Sequence, residues 1–160
     1  SLDGRLDPSG YVKGWAIGQA IEILRDGGMP NVALGIGGDV AAYGGGATGI
    51  GWSVGVVDPG VPTQMMARVA LRDAAIATSG LAERPDHLRD PRRGTVVDSP
   101  WTSFTVVGPD IARVDALATL GFLEGRAGLE RLDATPGYGA LAMLRDRTLL
   151  ATEGFRNITI

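Results

Sequence analysis

Ser103-Phe104-Thr105-Val106-Val107-Gly108-Pro109-Asp110-Ile111-Ala112-Arg113-Val114-Asp115-Ala116-Leu117-Ala118-Thr119-Leu120 is the stretch that decides the fold. Residues 103–107 are rich in β-branched and aromatic side chains and read as a strand. Pro109-Asp110 then opens a helix reaching about residue 123, apolar along Ile111, Ala112, Val114, Leu117 and Leu120. Outward from this unit, toward the C-terminus, a short third helix is expected over 127–132. Residues 138–144 and 149–152 resemble a hairpin around Asp146. Toward the N-terminus, 83–100 is polar and proline-bearing and reads as a loop. Residues 65–71 and 75–78 look like strands separated by Arg72-Asp73, and 52–57 like a strand closed by the turn Asp58-Pro59-Gly60. Residues 35–51 form a glycine-rich segment, and 32–36 a short buried strand. A first helix is expected over 12–25, stopped by Gly27, Gly28 and Pro30, after a loop over 1–11. Helices separated by runs of strands give an α+β fold: a largely antiparallel sheet with two to three helices, without the strict alternation of a doubly wound sheet.

The length, 160 residues, fits a single domain over 1–160 with no interdomain linker. An apolar fraction of 44% with 21% charged residues excludes an intrinsically disordered chain. A net charge of −3 argues against a broad basic surface for nucleic acid or anionic membrane. No apolar run approaches the roughly 20 residues of a transmembrane segment. With no cysteine, there is no thiol nucleophile and no Cys-ligated metal. Lys13 is the only lysine and His87 the only histidine, so any chemistry needing either has its candidate named.

Several local patterns carry chemistry, each with a plainer alternative. Gly44-Gly45-Gly46-Ala47-Thr48-Gly49 fits GxGxxG by letter, but a strand follows where a dinucleotide fold needs a helix, so it reads as a surface turn. Gly35-Ile36-Gly37-Gly38-Asp39 ends a buried strand. Glycines there either let backbone approach a flat ligand or make a tight bend. Asp115 and Thr119 stand four apart on one helix face. They are oxygen donors suited to a hard cation such as Mg²⁺, or a dipole-favoured carboxylate and a hydroxyl bonded back to its own helix. Lys13, read at the start of the first helix, is an anion contact or a solvated lysine. His87, with Arg89, Arg92 and Arg93 in a polar loop, is a candidate general base beside phosphate-binding guanidiniums, or a solvated loop.

The order of these motifs is more specific than any one of them. Leu6-Asp7-Pro8-Ser9-Gly10-Tyr11-Val12-Lys13-Gly14-Trp15-Ala16, Gly37-Gly38-Asp39, Ala77-Thr78-Ser79-Gly80, His87-Leu88-Arg89-Asp90-Pro91-Arg92-Arg93-Gly94 and Val114-Asp115-Ala116-Leu117-Ala118-Thr119 together resemble the ApbE family, and Thr152-Glu153-Gly154-Phe155 looks like its ending. The resemblance implies an ApbE-like, T-fold-related architecture and a Mg²⁺-dependent FAD:protein FMN transferase. There a threonine hydroxyl of an acceptor protein takes FMN from FAD and AMP is released. Asp115, Thr119 and the Gly10 carbonyl match the family's metal ligands. Asp7, Lys13, Gly37, Gly38, Thr78 and Arg89 match flavin-binding positions, and His87 the residue associated with transfer. Departures are Val114 for alanine, Ala118 where some members carry a second acid, and Arg89 where the residue is often apolar. Family members usually carry a further N-terminal half. The resemblance therefore implies that 1–160 is the C-terminal portion of a longer polypeptide, with the rest cut away or present as a separate chain. Alternatives of related chemistry and of another class are an FAD pyrophosphatase giving FMN and AMP, and a flavin-binding domain without turnover. Family members occur both inside the cell and outside the membrane, so localisation stays open.

Overall fold

The computed structural model describes residues 8–80, 95 and 97–160. In chain order the elements are α1 (Ser9–Asp26), β1 (Val32–Ile36), β2 (Asp39–Tyr43), β3 (Trp52–Asp58), β4 (Val61–Leu71), β5 (Ala74–Gly80), β6 (Trp101–Gly108), α2 (Ile111–Glu124), α3 (Arg126–Asp133), β7 (Gly139–Leu144), β8 (Leu149–Ala151) and α4 (Glu153–Arg156). Six strands form one sheet in the order β1-β2-β5-β6-β7-β8, and β3 pairs with β4 in a separate ribbon. Every pairing is antiparallel, so the expected α+β class holds.

Neighbouring residues of the central strands point to opposite faces, as a period of two demands. Ala41, Ala75, Val106 and Ala140 enter a core beneath α1 and α2 with Ile17, Phe104, Val114 and Phe122. Their neighbours Ala42, Ile76, Val107 and Leu141 enter a second core under the β3–β4 ribbon with Val56, Val69, Leu71 and Phe155. The sheet is thus sandwiched, which explains why its central strands lack polar alternation. Asp110 caps α2 by accepting from the Arg113 N–H at 2.9 Å, and Thr152 caps α4 through the Phe155 N–H at 3.3 Å.

Three expectations are corrected. The helices number four among the described residues, because Thr152 starts a one-turn helix that is too short for periodicity to reveal. The glycine-rich segment contains a strand, β2. Gly37 and Gly38, at φ +56° and +88°, form the two-residue hairpin turn between β1 and β2, pairing Ile36 with Asp39. Finally, α1 starts at Ser9, so Lys13 lies one turn inside the helix and not among its free N-terminal amides.

Candidate functional site

α1 and α2 pack antiparallel, and Gly14 sets their distance. A Cβ on Gly14 would lie 2.6 Å from the Ile111 carbonyl oxygen and 2.9 Å from both the Ala112 Cα and the Asp115 Cβ. No side chain fits there. The approach lets the Gly14 N–H donate to Asp115 Oδ2 at 3.0 Å. That bond holds the Asp115 carboxylate against α1 one turn from Gly10. One turn earlier, Gly10 lies against Thr119, whose Oγ1 would be 3.4 Å from a Cβ on Gly10. The Thr119 hydroxyl hydrogen-bonds the Ser79 hydroxyl of β5 at 3.1 Å. It is thus tied to the sheet, and not simply to a carbonyl of its own helix.

Asp39 stands beside this group at the start of β2 and is 1% exposed. Its Oδ2 meets Lys13 Nζ at 2.7 Å, and its Oδ1 accepts the Thr78 N–H at 3.3 Å. The Thr78 hydroxyl bonds that of Thr105 at 2.9 Å. The Gly37–Gly38 turn lies above Lys13, whose Cδ would be 3.9 Å from a Cβ on Gly37. Burial pushes the Asp39 carboxyl up from 3.8 to about 6. Lys13 and the Thr78 N–H pull against this, while the neighbouring Asp115 adds to it. Burial likewise raises Asp115, opposed by the Gly14 N–H, Lys13 and its contact with Asp39. Among the described residues, the buried Asp39 and Asp115 carboxyls both feel the Lys13 ammonium.

The donor set is hard oxygen: the Asp115 carboxylate, the Thr119 and Ser79 hydroxyls and, in the turn of α1 that faces Thr119, the backbone carbonyl of Gly10. Among the described residues no three His, Cys, Asp or Glu side chains gather into a metal cage. Few protein ligands with room for water and phosphate is the arrangement that Mg²⁺ favours, so Gly10, Asp115 and Thr119 fit that ion. The Lys13 ammonium, paired with Asp39, lies close enough to Asp115 to oppose the rise in its pKa. Thr78 and the Gly37–Gly38 turn are exposed, and Lys13, Ser79 and Thr119 are half-buried, so the cluster opens to solvent. A separate groove of about 370 Å³, lined by Tyr11, Trp15, Glu22, Tyr43 and Asp110 among others, includes none of the cluster residues.

Of the residues expected from sequence, Lys13, Gly37, Gly38 and Thr78 come together on one side of this cluster and Gly10, Asp115 and Thr119 on the other. Asp7, His87 and Arg89 lie outside the described residues. Asp39 and Ser79 join the site without having been assigned a role. Both sit inside recognised motifs, the Gly-Gly-Asp turn and the Ala-Thr-Ser-Gly strand, and that was the available signal. Ala118 is fully buried in the core beneath α2.

The sequence profile of the ApbE family matches residues 2–142. An FAD:protein FMN transferase of Vibrio cholerae is 28% identical over 123 residues, covering 71% of this chain and 37% of that protein. The solved structure of the ApbE protein from Thermotoga maritima aligns with a TM-score of 0.88 at 27% identity, over 98% of this chain and 54% of that one. The flavin transferase ApbE from V. cholerae aligns with a TM-score of 0.83 at 26% identity, over 96% of this chain and 52% of the other. The chain therefore spans about half the length of these solved structures.

Proposed function

This chain belongs to the ApbE family, and from that premise we propose that it carries the metal- and pyrophosphate-binding part of an FAD:protein FMN transferase. The supporting observation is the Gly14–Asp115 hydrogen bond, which spans 101 residues of sequence. It joins the Lys13-Gly14 motif to the Asp115–Thr119 motif, and one turn earlier Gly10 lies against Thr119.

In the proposed reaction the Oγ of an acceptor threonine attacks the FAD phosphorus that bears riboflavin. The bond from that phosphorus to the bridging oxygen breaks, AMP leaves with that oxygen, and FMN stays on the acceptor as a phosphoester. Such phosphoryl transfer depends mainly on positioning and charge neutralisation. Mg²⁺, when bound, would offset charge on the pyrophosphate. Asp115, Thr119 and the Gly10 carbonyl would hold it, and Ser79 keeps Thr119 oriented. Lys13 meets the remaining phosphate charge. The exposed Gly37–Gly38 turn and Thr78 border the space for the flavin side of the substrate. His87 is assigned the hydroxyl proton of the acceptor, on the resemblance alone. Asp7 and Arg89 are assigned flavin contacts on the same ground.

The test is intact mass spectrometry of a threonine-bearing acceptor peptide incubated with this chain, FAD and Mg²⁺, with nucleotides followed by chromatography. The expected result is a peptide carrying one FMN, equimolar AMP, and loss of both in Asp115→Ala. Wild-type transfer by Asp115→Ala would overturn the metal assignment. FMN and AMP appearing without acceptor would shift the reading to FAD hydrolysis.

A further inference from the structure

Asp39 belongs to neither the metal ligands nor the flavin contacts of the proposed function, yet it is the most buried charged side chain of the cluster. Its place follows from the hairpin. The two-residue turn at Gly37–Gly38 starts β2 at Asp39, and the period of two puts Asp39 on the same face as Ala41, the face covered by α1. Its two oxygens have different tasks. Oδ1 accepts from the β5 backbone at Thr78, and Oδ2 holds the Lys13 ammonium. One carboxylate thus links β2, β5 and α1 at the edge of the Asp115–Thr119 site.

A buried charge adds little net stability, and a well-packed neutral group would serve at least as well for folding alone. What a carboxylate does here that a neutral group cannot is restrain an ammonium. Lysine is a point charge on a flexible four-carbon stem, and the Lys13 side chain is 35% exposed. Held by Asp39, it stays beside the metal-binding oxygens. Without Asp39 the ammonium loses the 2.7 Å ion pair that fixes it and gains freedom to move. We propose that Asp39 is a positioning residue that fixes the Lys13 ammonium beside the Asp115–Thr119 site, where it receives the pyrophosphate of the flavin dinucleotide. The last clause rests on the function proposed above. The fixing of Lys13 does not.

The sequence supplies the reporter. Lys13 is the only lysine, so the chain labelled with ¹³Cε-lysine gives one side-chain signal. In the wild type without nucleotide, that signal is expected to show a restricted ε-methylene. In Asp39→Asn, which keeps an acceptor for the Thr78 N–H, it is expected to become motionally averaged. An unchanged signal overturns the proposal. A thermal melt establishes that the variant is folded, and Asp39→Ser takes its place if it is not.

FAD affinity in the presence of Mg²⁺, read by calorimetry, completes the test as a double-mutant cycle. Asp39→Asn and Lys13→Met are each expected to weaken binding about tenfold, the scale of one charge-assisted hydrogen bond. The double variant should bind no more weakly than Lys13→Met. Additive losses would mean that Asp39 acts other than through Lys13 and would overturn its positioning role. Lys13→Met with wild-type affinity would go against the pyrophosphate contact of the proposed function. The nucleotide-free signal would still judge the Asp39–Lys13 pairing by itself.

Discussion

Asp39 and Asp58 are assembled from the same parts. Each is nearly sealed from water, at 1% and 5% exposure. Each accepts from backbone N–H, one at Asp39 and two at Asp58, and faces a basic side chain, Lys13 at 2.7 Å and Arg147 at 2.6 Å. Yet their acidities move in opposite directions. At Asp58, burial works against the charge, but the Gly60 N–H, Arg147 and the Val61 N–H prevail and hold the carboxyl below its ordinary value. The two amides lie at 2.8 and 3.1 Å, both on Oδ1. At Asp39 burial prevails, with one longer amide bond and the Asp115 carboxylate as a neighbour. Asp58 is satisfied by its own turn and locks the β3–β4 ribbon to Arg147 of the β7–β8 connection. Among the described residues, Asp39 and Asp115 share the basic partner Lys13. The proposed function puts a cation at this site and none at Asp58.

The largest expected effect separates the two regions by activity. Asp115→Ala should lower FMN transfer about 10²-fold or more, the several kcal/mol of charge stabilisation a metal supplies, while the melting temperature changes little. Asp58→Asn should leave the transfer rate as it is. Equal losses in both variants, measured with the acceptor peptide under saturating FAD, would erase the functional distinction.

Next in size is Gly14→Ala. The added methyl would meet the Ile111 carbonyl and the Asp115 Cβ well inside contact distance. Overpacking of this kind costs roughly 1–3 kcal/mol, which for a chain of this length is a fall in melting temperature of about 2–4 °C per kcal/mol. Because Asp115 is one of the atoms struck, transfer should fall beyond what the lost stability explains. Full activity in a destabilised Gly14→Ala would show that the crossing of α1 and α2 supports the fold without setting the metal ligands proposed above.

The sequence made the two regions legible to different degrees. The helix bearing Asp115 and Thr119 could be read directly, because its apolar residues follow the helical period and Pro109-Asp110 marks its start. The meeting of that helix with Gly10 and Gly14 could not. It depends on a glycine whose missing side chain matters only once two helices are packed. β2 was hidden for another reason. Asp39-Val40-Ala41-Ala42-Tyr43 is buried against both cores and so lacks alternation, and the glycines on either side look like loop. The Gly37–Gly38 pair held the missing signal, since a two-glycine connection favours a hairpin between strands. Reading it so would have placed a second strand after it and drawn attention to Asp39. The Asp58-Pro59-Gly60 turn was visible as a turn, but its ion pair to Arg147 spans 89 residues and has no local signature.

Asp58→Asn gives a smaller effect with a definite pH signature. Because the folded carboxyl is more acidic than its ordinary 3.8, protons bind the unfolded chain more readily. The stabilisation is fully present above the unfolded value and is lost as pH falls through the folded value. Urea denaturation should therefore find Asp58→Asn less stable than wild type at pH 7, with the gap closing from about pH 4 downward. Salt should narrow the gap at pH 7, since Arg147 is half exposed and its attraction is screened. A gap that does not vary with pH would mean that packing in the turn matters and the charge of Asp58 does not.

The smallest expected effect concerns the stability of Asp39→Asn, and it bears most directly on the difference between the two aspartates. Substituting either residue removes one carboxylate and leaves one basic partner behind. At Asp58 the loss includes a charge that two short amide bonds favour. At Asp39 the charge removed is one that burial and Asp115 oppose, and Lys13 can extend its ammonium into water, since lysine stems carry their charge outward readily. The change in unfolding free energy at pH 7 in metal-free buffer should then be smaller than that of Asp58→Asn. A loss at Asp39 as large as that at Asp58 would make both aspartates structural staples, and the contrast between the two regions would rest on Asp115 alone.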